Sequence, residues 1–286
     1  MRRLESVRRV AWMGIAVLFV GIGLGAEGMA AEGEREIRNG AFDVGEWLYF
    51  KVCYGPISAG TATMETRSIQ MVNGKACYHV VSEAKSSGFF SRFFRVRDRL
   101  ESFIDVKGIF PRRFEKRIRE GKYKADRWIA YDQERHVAIT SQGDTMTVPP
   151  FVQDVLSIFY FIRTQPLRPG DRFVVDNHTR RGSFPLEIRV RGRERVTVEA
   201  GTFDCVVVEP LQETAGLFKH KGKLKVWLTD DARRMPVLMK SKVVVGHLSA
   251  KLVRYVVPER IRGSQGDQET TSGGDSLADL WREEGM

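Results

Sequence analysis

From Asp43 onward the chain reads as a string of hairpins: runs rich in Val, Ile, Phe, Tyr and Thr end at Gly, Asn or Asp every ten or so residues. Connections that short join neighbouring antiparallel strands, because a parallel pair needs a crossover of a dozen residues or more. The spacing predicts strands near 45–54, 60–70, 75–85, 97–106, 109–119, 123–132 and 135–141. A second series is predicted near 172–177, 184–192, 194–200, 203–210, 221–229, 236–244 and 247–257. The first run, Glu46 to Val52, is apolar on both alternating sets of side chains, as a strand covered on both faces requires. One segment breaks the pattern. Pro149-Pro150 stop a strand, Asp154 is placed to cap, and Val155 to Arg163 read as a short helix ahead of Pro166. Its Val155, Leu156, Ile158, Phe159, Phe161 and Ile162 go nearly all the way round the axis, so the helix must be buried. The expected fold is therefore mainly β: a strongly curved antiparallel sheet or open half-barrel, in one sheet or two, with one short buried helix on its concave side.

The two ends of the chain stand apart from this pattern. Arg2, Arg3, Arg8 and Arg9 precede an apolar run from Val10 to Leu24 and small residues up to Gly28-Met29-Ala30. Those are the zones of an export signal, and the apolar run is too short and Gly-rich for a membrane span. The expected organisation is a signal peptide over 1–30, cleaved after about Ala30, an N-terminal extension over 31–42, a single β-rich domain over 43–258 and an acidic disordered tail over 259–286. This reading places the mature chain in the periplasm.

Residues 31–262 carry a net charge of +13, and residues 263–286 one of −5. A basic exported body suits anionic envelope partners such as lipid headgroups, with peripheral membrane contact, and nucleic acid is not expected outside the cytoplasm. Cys53, Cys77 and Cys205 are too few for a disulfide framework, so a hydrophobic core has to supply stability. With the strand near 60–70 between them, Cys53 and Cys77 sit roughly 9.6 Å apart, too far to bridge, and free buried thiols are expected.

The catalytic motifs are near misses. Ser82-Glu83-Ala84-Lys85 has the Ser-x-x-Lys spacing but falls in a predicted strand, where the two side chains do not share a helical face. Gly216 to Lys223 resembles a phosphate loop with one residue too many and a strand after it. His79, His136, His178, His220 and His247 have no second ligand at a recognised metal spacing, and Asp230-Asp231 suit a turn. No cofactor or metal is expected.

The most suggestive stretch runs from Ser86 to Arg97, where phenylalanines alternate with arginines. Phe89, Phe90, Phe93 and Phe94, with Arg92 and Arg95, would form an apolar wedge ringed by cations at the sheet rim, a composition suited to lipid or amphiphile contact; the alternative is that the phenylalanines pack over the open end of the sheet while the arginines reach water. Phe159, Tyr160 and Ile162 of the helix are the expected interior contacts. The leading expectation is a non-catalytic envelope protein whose curved sheet holds a lipid-like or anionic amphiphilic ligand. Two alternatives stand beside it: a structural module that docks an envelope protein by a sheet edge, and a hydrolase of envelope glycans or lipids using Glu101 and Asp105 on one strand face.

Several stretches also resemble one family: Val44 to Phe50, Ile57 to Gly60, Phe94 to Asp98, Asp154 to Tyr160, Ala200 to Phe203, Trp227 to Asp231 and Met235 to Val237. In order and spacing they are similar to bacterial exported proteins of the domain of unknown function 3108 family, over nearly all of residues 41 to 257. The resemblance implies a periplasmic β-rich domain of unassigned activity and carries over no catalytic residue.

Overall fold

The computed structural model describes residues 35–92, 94–180, 182–212, 224–242 and 246–262. The expected signal peptide, the Gly216 to Lys223 loop, Phe93 and the tail beyond Arg262 lie outside the described residues. The first half holds β1 (Trp47–Tyr54), β2 (Ile57–Val72), β3 (Lys75–Ser86), α1 (Gly88–Ser91), β4 (Arg97–Asp105), β5 (Pro111–Glu120), β6 (Tyr123–Asp132), β7 (Val137–Thr140) and β8 (Thr145–Thr147). Then come α2 (Ser157–Arg163), β9 (Arg172–Thr179), β10 (Gly182–Val198), β11 (Gly201–Gln212), β12 (Leu224–Thr229), β13 (Pro236–Lys242), β14 (His247–Val256) and α3 (Glu259–Arg262).

The strands form one antiparallel sheet in the order β8-β7-β6-β5-β4-β3-β2-β1-β14-β13-β12-β11-β10-β9. Apart from β8 and β9, consecutive strands pair with one another, as short turns dictate, and the first strand pairs with the last through Trp47↔Val256 to Tyr54↔Leu248. The tightness of the turns is written in the residues: Asn73-Gly74 joins β2 to β3 with φ of 49° and 76°, the left-handed pair that a type I′ hairpin needs. The sheet does not close. Its free edges are β8 and β9, and among the described residues a single parallel bridge, between Gln153 and Asn177, spans the seam. There the Gln153 amide donates to Asp176 O at 2.8 Å, and the His178 amide donates to Gln153 O at 2.7 Å.

Several details differ from the sequence reading; one is that residues 259–262, expected in the disordered tail, form α3 with Ile261 buried. The predicted strands 184–192 and 194–200 are one strand, β10, bent by a bulge between Val190 and Gly192. Its far half folds back over the outer face of β13 and β14, where Ala200 N donates to Leu252 O, and covers Val207, Trp227, Val237 and Leu238. The question of one sheet or two thus resolves as one sheet doubled on itself. Strand β8 is new, too short to leave a periodic pattern, and helix α2 starts at Ser157 instead of Val155. Asp154 Oδ1 takes the amides of Leu156 and Ser157, both at 2.7 Å, and so fixes the first turn.

The hairpin registers define two ends. At one lie the start of β1 and the β2–β3, β4–β5 and β6–β7 turns; at the other, the mouth, lie the β1–β2, β5–β6, β7–β8 and β9–β10 turns and α1. The main core lies on the concave side, where Leu156, Ile158, Tyr160 and Ile162 of the helical segment join Phe42, Leu48, Phe50, Ile104, Leu186 and Leu252 in one buried cluster. The helix is a plug, and the interior beside it is filled with side chains.

Candidate functional site

The mouth begins where β3 runs out. Ser86 Oγ accepts the Val96 amide at 3.0 Å and meets Ser91 Oγ at 2.7 Å, and the Ser87 side chain accepts from Phe90 N, which folds residues 87–91 into a single helical turn. Serines suit this work because their hydroxyls satisfy backbone groups that neither strand nor helix can pair. Phe90 and Phe94 turn inward onto the main core, whereas Phe89 is 65% exposed with Arg92, Arg95 and Arg97 exposed near it in the chain. Phe94 lies against Gly121 of the β5–β6 turn, so closely that a Cβ there would stand 2.9 Å from the ring. Gly121 N donates to Arg95 O at 2.8 Å and ties the two loops together.

Further down the inner face, alternation along β5 places Lys116 on the same side as buried Phe114 and Ile118. Its cross-strand partner is Arg127, on the same inner face as Ala125 and Ile129. With Arg180 from the tip of the β9–β10 hairpin they line a depression, partly open to solvent, over Phe114, Ile129 and Thr140. Burial, then the nearby Arg127 and Arg180 charges, pull the Lys116 ammonium below its ordinary range. Nearer the rim, Asp98 and Glu120 interact with one another: burial first, then the Asp98 charge, pushes Glu120 up to about 7.

The opposite end carries the plug. Tyr160 is fully buried, edge-on to Phe42 at 4.7 Å, and Ile162 is 7% exposed; Phe159 is half-buried against the same core. Arg163 grips Glu46 with two bonds, Nη1 to Oε2 at 2.7 Å and Nη2 to Oε1 at 2.5 Å, and donates as well to the carbonyls of Ala41 and Arg233. Of the residues expected to meet a ligand, the structure thus puts Phe89, Phe90, Arg92, Phe94 and Arg95 at the mouth. Phe159, Tyr160 and Ile162 belong to the plug.

Beside the plug is a buried polar nest. Asp154 Oδ2 accepts from Ser102 Oγ at 2.7 Å, the Tyr131 ring meets the His178 ring edge-on at 5.7 Å, and His178 Nδ1 pairs with Ser183 Oγ at 2.9 Å. Burial pushes the Asp154 carboxyl up to about 6 and the His178 imidazole down to about 4. These groups hold the seam and the first turn of the helix.

The hydrolase candidates are committed elsewhere. Glu101 is held by Arg99 and by His79 Nε2 at 2.8 Å; the Arg99 bond leads in drawing its carboxyl down to about 2. Asp105 is a turn residue: it accepts the Lys107 and Gly108 amides and binds Arg112 at 2.7 Å. Four residues apart on one strand, their backbones are separated by roughly 13 Å, wider than a pair of glycosidase carboxyls. Ser82 and Lys85, three apart on β3, point to opposite faces. Asp231 accepts from Thr229 Oγ1 and the Arg233 amide, which is turn chemistry. Cys53, Cys77 and Cys205 are free and buried. Among the described residues no group of His, Cys, Asp and Glu is gathered for a metal, and no helix is long and apolar enough to cross a membrane.

Plugged at one end and lined with cations at the other, the fold defines an open antiparallel half-barrel module. The chain belongs to the DUF3108 family, a protein family of unknown function, whose family model matches residues 49–253. Among solved structures it is similar to a β-barrel-like protein of domain of unknown function DUF1849 from Brucella abortus, with a TM-score of 0.51 at 9% identity over 76% of this chain and 99% of that one. A candidate lipoprotein from Parabacteroides distasonis matches with a TM-score of 0.34 at 10% identity, over 78% of this chain and 100% of that one. A candidate exported protein with a YmcC-like fold from Bacteroides fragilis matches at 0.29 with 12% identity, over 77% of this chain and 99% of that one. No curated protein matches the chain.

Proposed function

We propose that this is an exported, non-catalytic envelope protein that binds an anionic amphiphile at the mouth of its half-barrel. The observation that carries the reading is the difference between the two ends. The plugged end is filled by Tyr160, Phe42 and the Arg163–Glu46 pair, whereas the mouth presents exposed Phe89 beside arginines, with Lys116, Arg127 and Arg180 on the inner wall behind it. A large exposed aromatic among long cationic side chains suits an apolar tail joined to a negative head. The sheet edges suit docking less well: β8 is three residues long and β9 is bridged by Gln153.

The test is native mass spectrometry of the exported protein, together with titration by an apolar fluorescent probe. The wild type is expected to carry or take up an acidic lipid and to enhance the probe, and Phe89→Ser, a surface change, to lose most of that enhancement. Protein that stays lipid-free and excludes the probe contradicts the reading.

A further inference from the structure

We infer that Lys116, Arg127 and Arg180 form a binding site for a phosphate-type oxyanion on the inner wall of the mouth. Lys116 and Arg127 are direct cross-strand partners, an arrangement of like charges that destabilises a sheet by itself. They sit on the inner face between core residues, where solvent screens charge less than on the outer face. Arg180 reaches the same depression from another hairpin, 53 to 64 positions away in sequence, so the convergence is a product of the fold.

Among the described residues no carboxylate neutralises the three: none of them forms an ion pair with one, and Arg127 Nη1 bonds the amide oxygen of Gln142 at 2.8 Å. Asp98 and Glu120, the acids nearer the rim, interact with each other, and Arg119 takes Asp126. Burial first, and then the Arg127 and Arg180 charges, hold Lys116 below its ordinary pKa range over an apolar floor of Phe114 and Ile129. Two guanidinium forks and one ammonium suit a tetrahedral oxyanion, because the forks bind its oxygens in pairs and the ammonium adds a point charge. Lys116 stands four residues from the end of β5, roughly 13 Å below the rim. The same chemistry fits free phosphate or the headgroup of an acidic lipid, and the lipid source alone rests on the function proposed above.

The experiment is calorimetric titration of the exported protein with inorganic phosphate, with dihexanoyl phosphatidic acid and with neutral dihexanoyl glycerol. The variants are Arg180→Gln, on an exposed turn, and Lys116→Met. Both anions are expected to bind, to weaken with salt and to lose at least about tenfold in affinity in either variant. Lys116→Met should also raise the melting temperature of the unliganded protein, because it removes a like-charge pair; a merely structural lysine would lower it. Phosphate binding with that loss, and no gain from the lipid tails, supports the site and overturns the amphiphile reading. Lipid binding that is undiminished in both variants overturns the site and leaves the amphiphile reading standing. Absence of phosphate binding to the wild type overturns the site outright.

Discussion

Asp154 and His178 respond to the same burial in opposite directions. The Asp154 carboxyl, raised from an ordinary ~3.9 to about 6, keeps its proton longer in the folded state, so its contribution to stability grows as pH falls from 6 to 4. The His178 imidazole, lowered from an ordinary ~6.5 to about 4, resists protonation when folded, so its contribution is lost as pH falls through the same window. Each effect amounts to roughly 3 kcal/mol, and the two nearly cancel. Relative to wild type, Asp154→Asn should therefore lose stability between pH 6 and pH 4, and His178→Gln should gain it. Urea unfolding at both pH values checks this, and slopes of the same sign contradict it. At the Arg163–Glu46 pair, burial of both partners makes removal of one far worse than removal of both. Glu46→Gln should cost about 3–5 kcal/mol in urea unfolding, and the double change Glu46→Met with Arg163→Met less than half of that.

At the scale of elements, the β5–β6 turn and α1 act as one unit. Gly121 has φ of 58° and Phe94 lies over it, so Gly121→Ala meets both backbone strain and a clash. The expected loss is about 1–2 kcal/mol, with faster tryptic cleavage at Arg92 and Arg95 as the loop lifts; unchanged cleavage would show that the two loops are not coupled. The strands of this unit were legible because strand periodicity and turn residues are local, and β6 has the predicted limits, Tyr123–Asp132. The plug helix was legible too, from apolar residues on every side between two turn signals. Lys116 and Arg127 left a weaker trace: each is a cation in the alternating set that otherwise reads Phe114 and Ile118, or Ala125 and Ile129. Their meeting depends on register, and Arg180 joins them through the folding of the second half against the first, neither of which a local pattern encodes. The bend in β10 was hidden for a similar reason, since Gly192 reads equally well as a turn.

Taken whole, the molecule is an open sheet whose two free edges are brought together by the segment between them. Gln153 is central to that closure: besides the backbone bridge, its side chain donates to Ile109 O at 3.0 Å and to Phe151 O at 3.2 Å. Gln153→Ala should leave the hairpins intact while β9 exchanges its amide hydrogens faster than β1 and β14, which sit at the middle of the sheet. This architecture underlies the proposed function, in which one end is structural and the other is the binding end. Hydrogen exchange read by mass spectrometry with and without dihexanoyl phosphatidic acid tests it most directly. Added protection is expected in peptides covering 87–96 and the β5–β6 and β9–β10 turns, and none over residues 157–163. Protection concentrated on the helix, or no protection at any peptide, would contradict it.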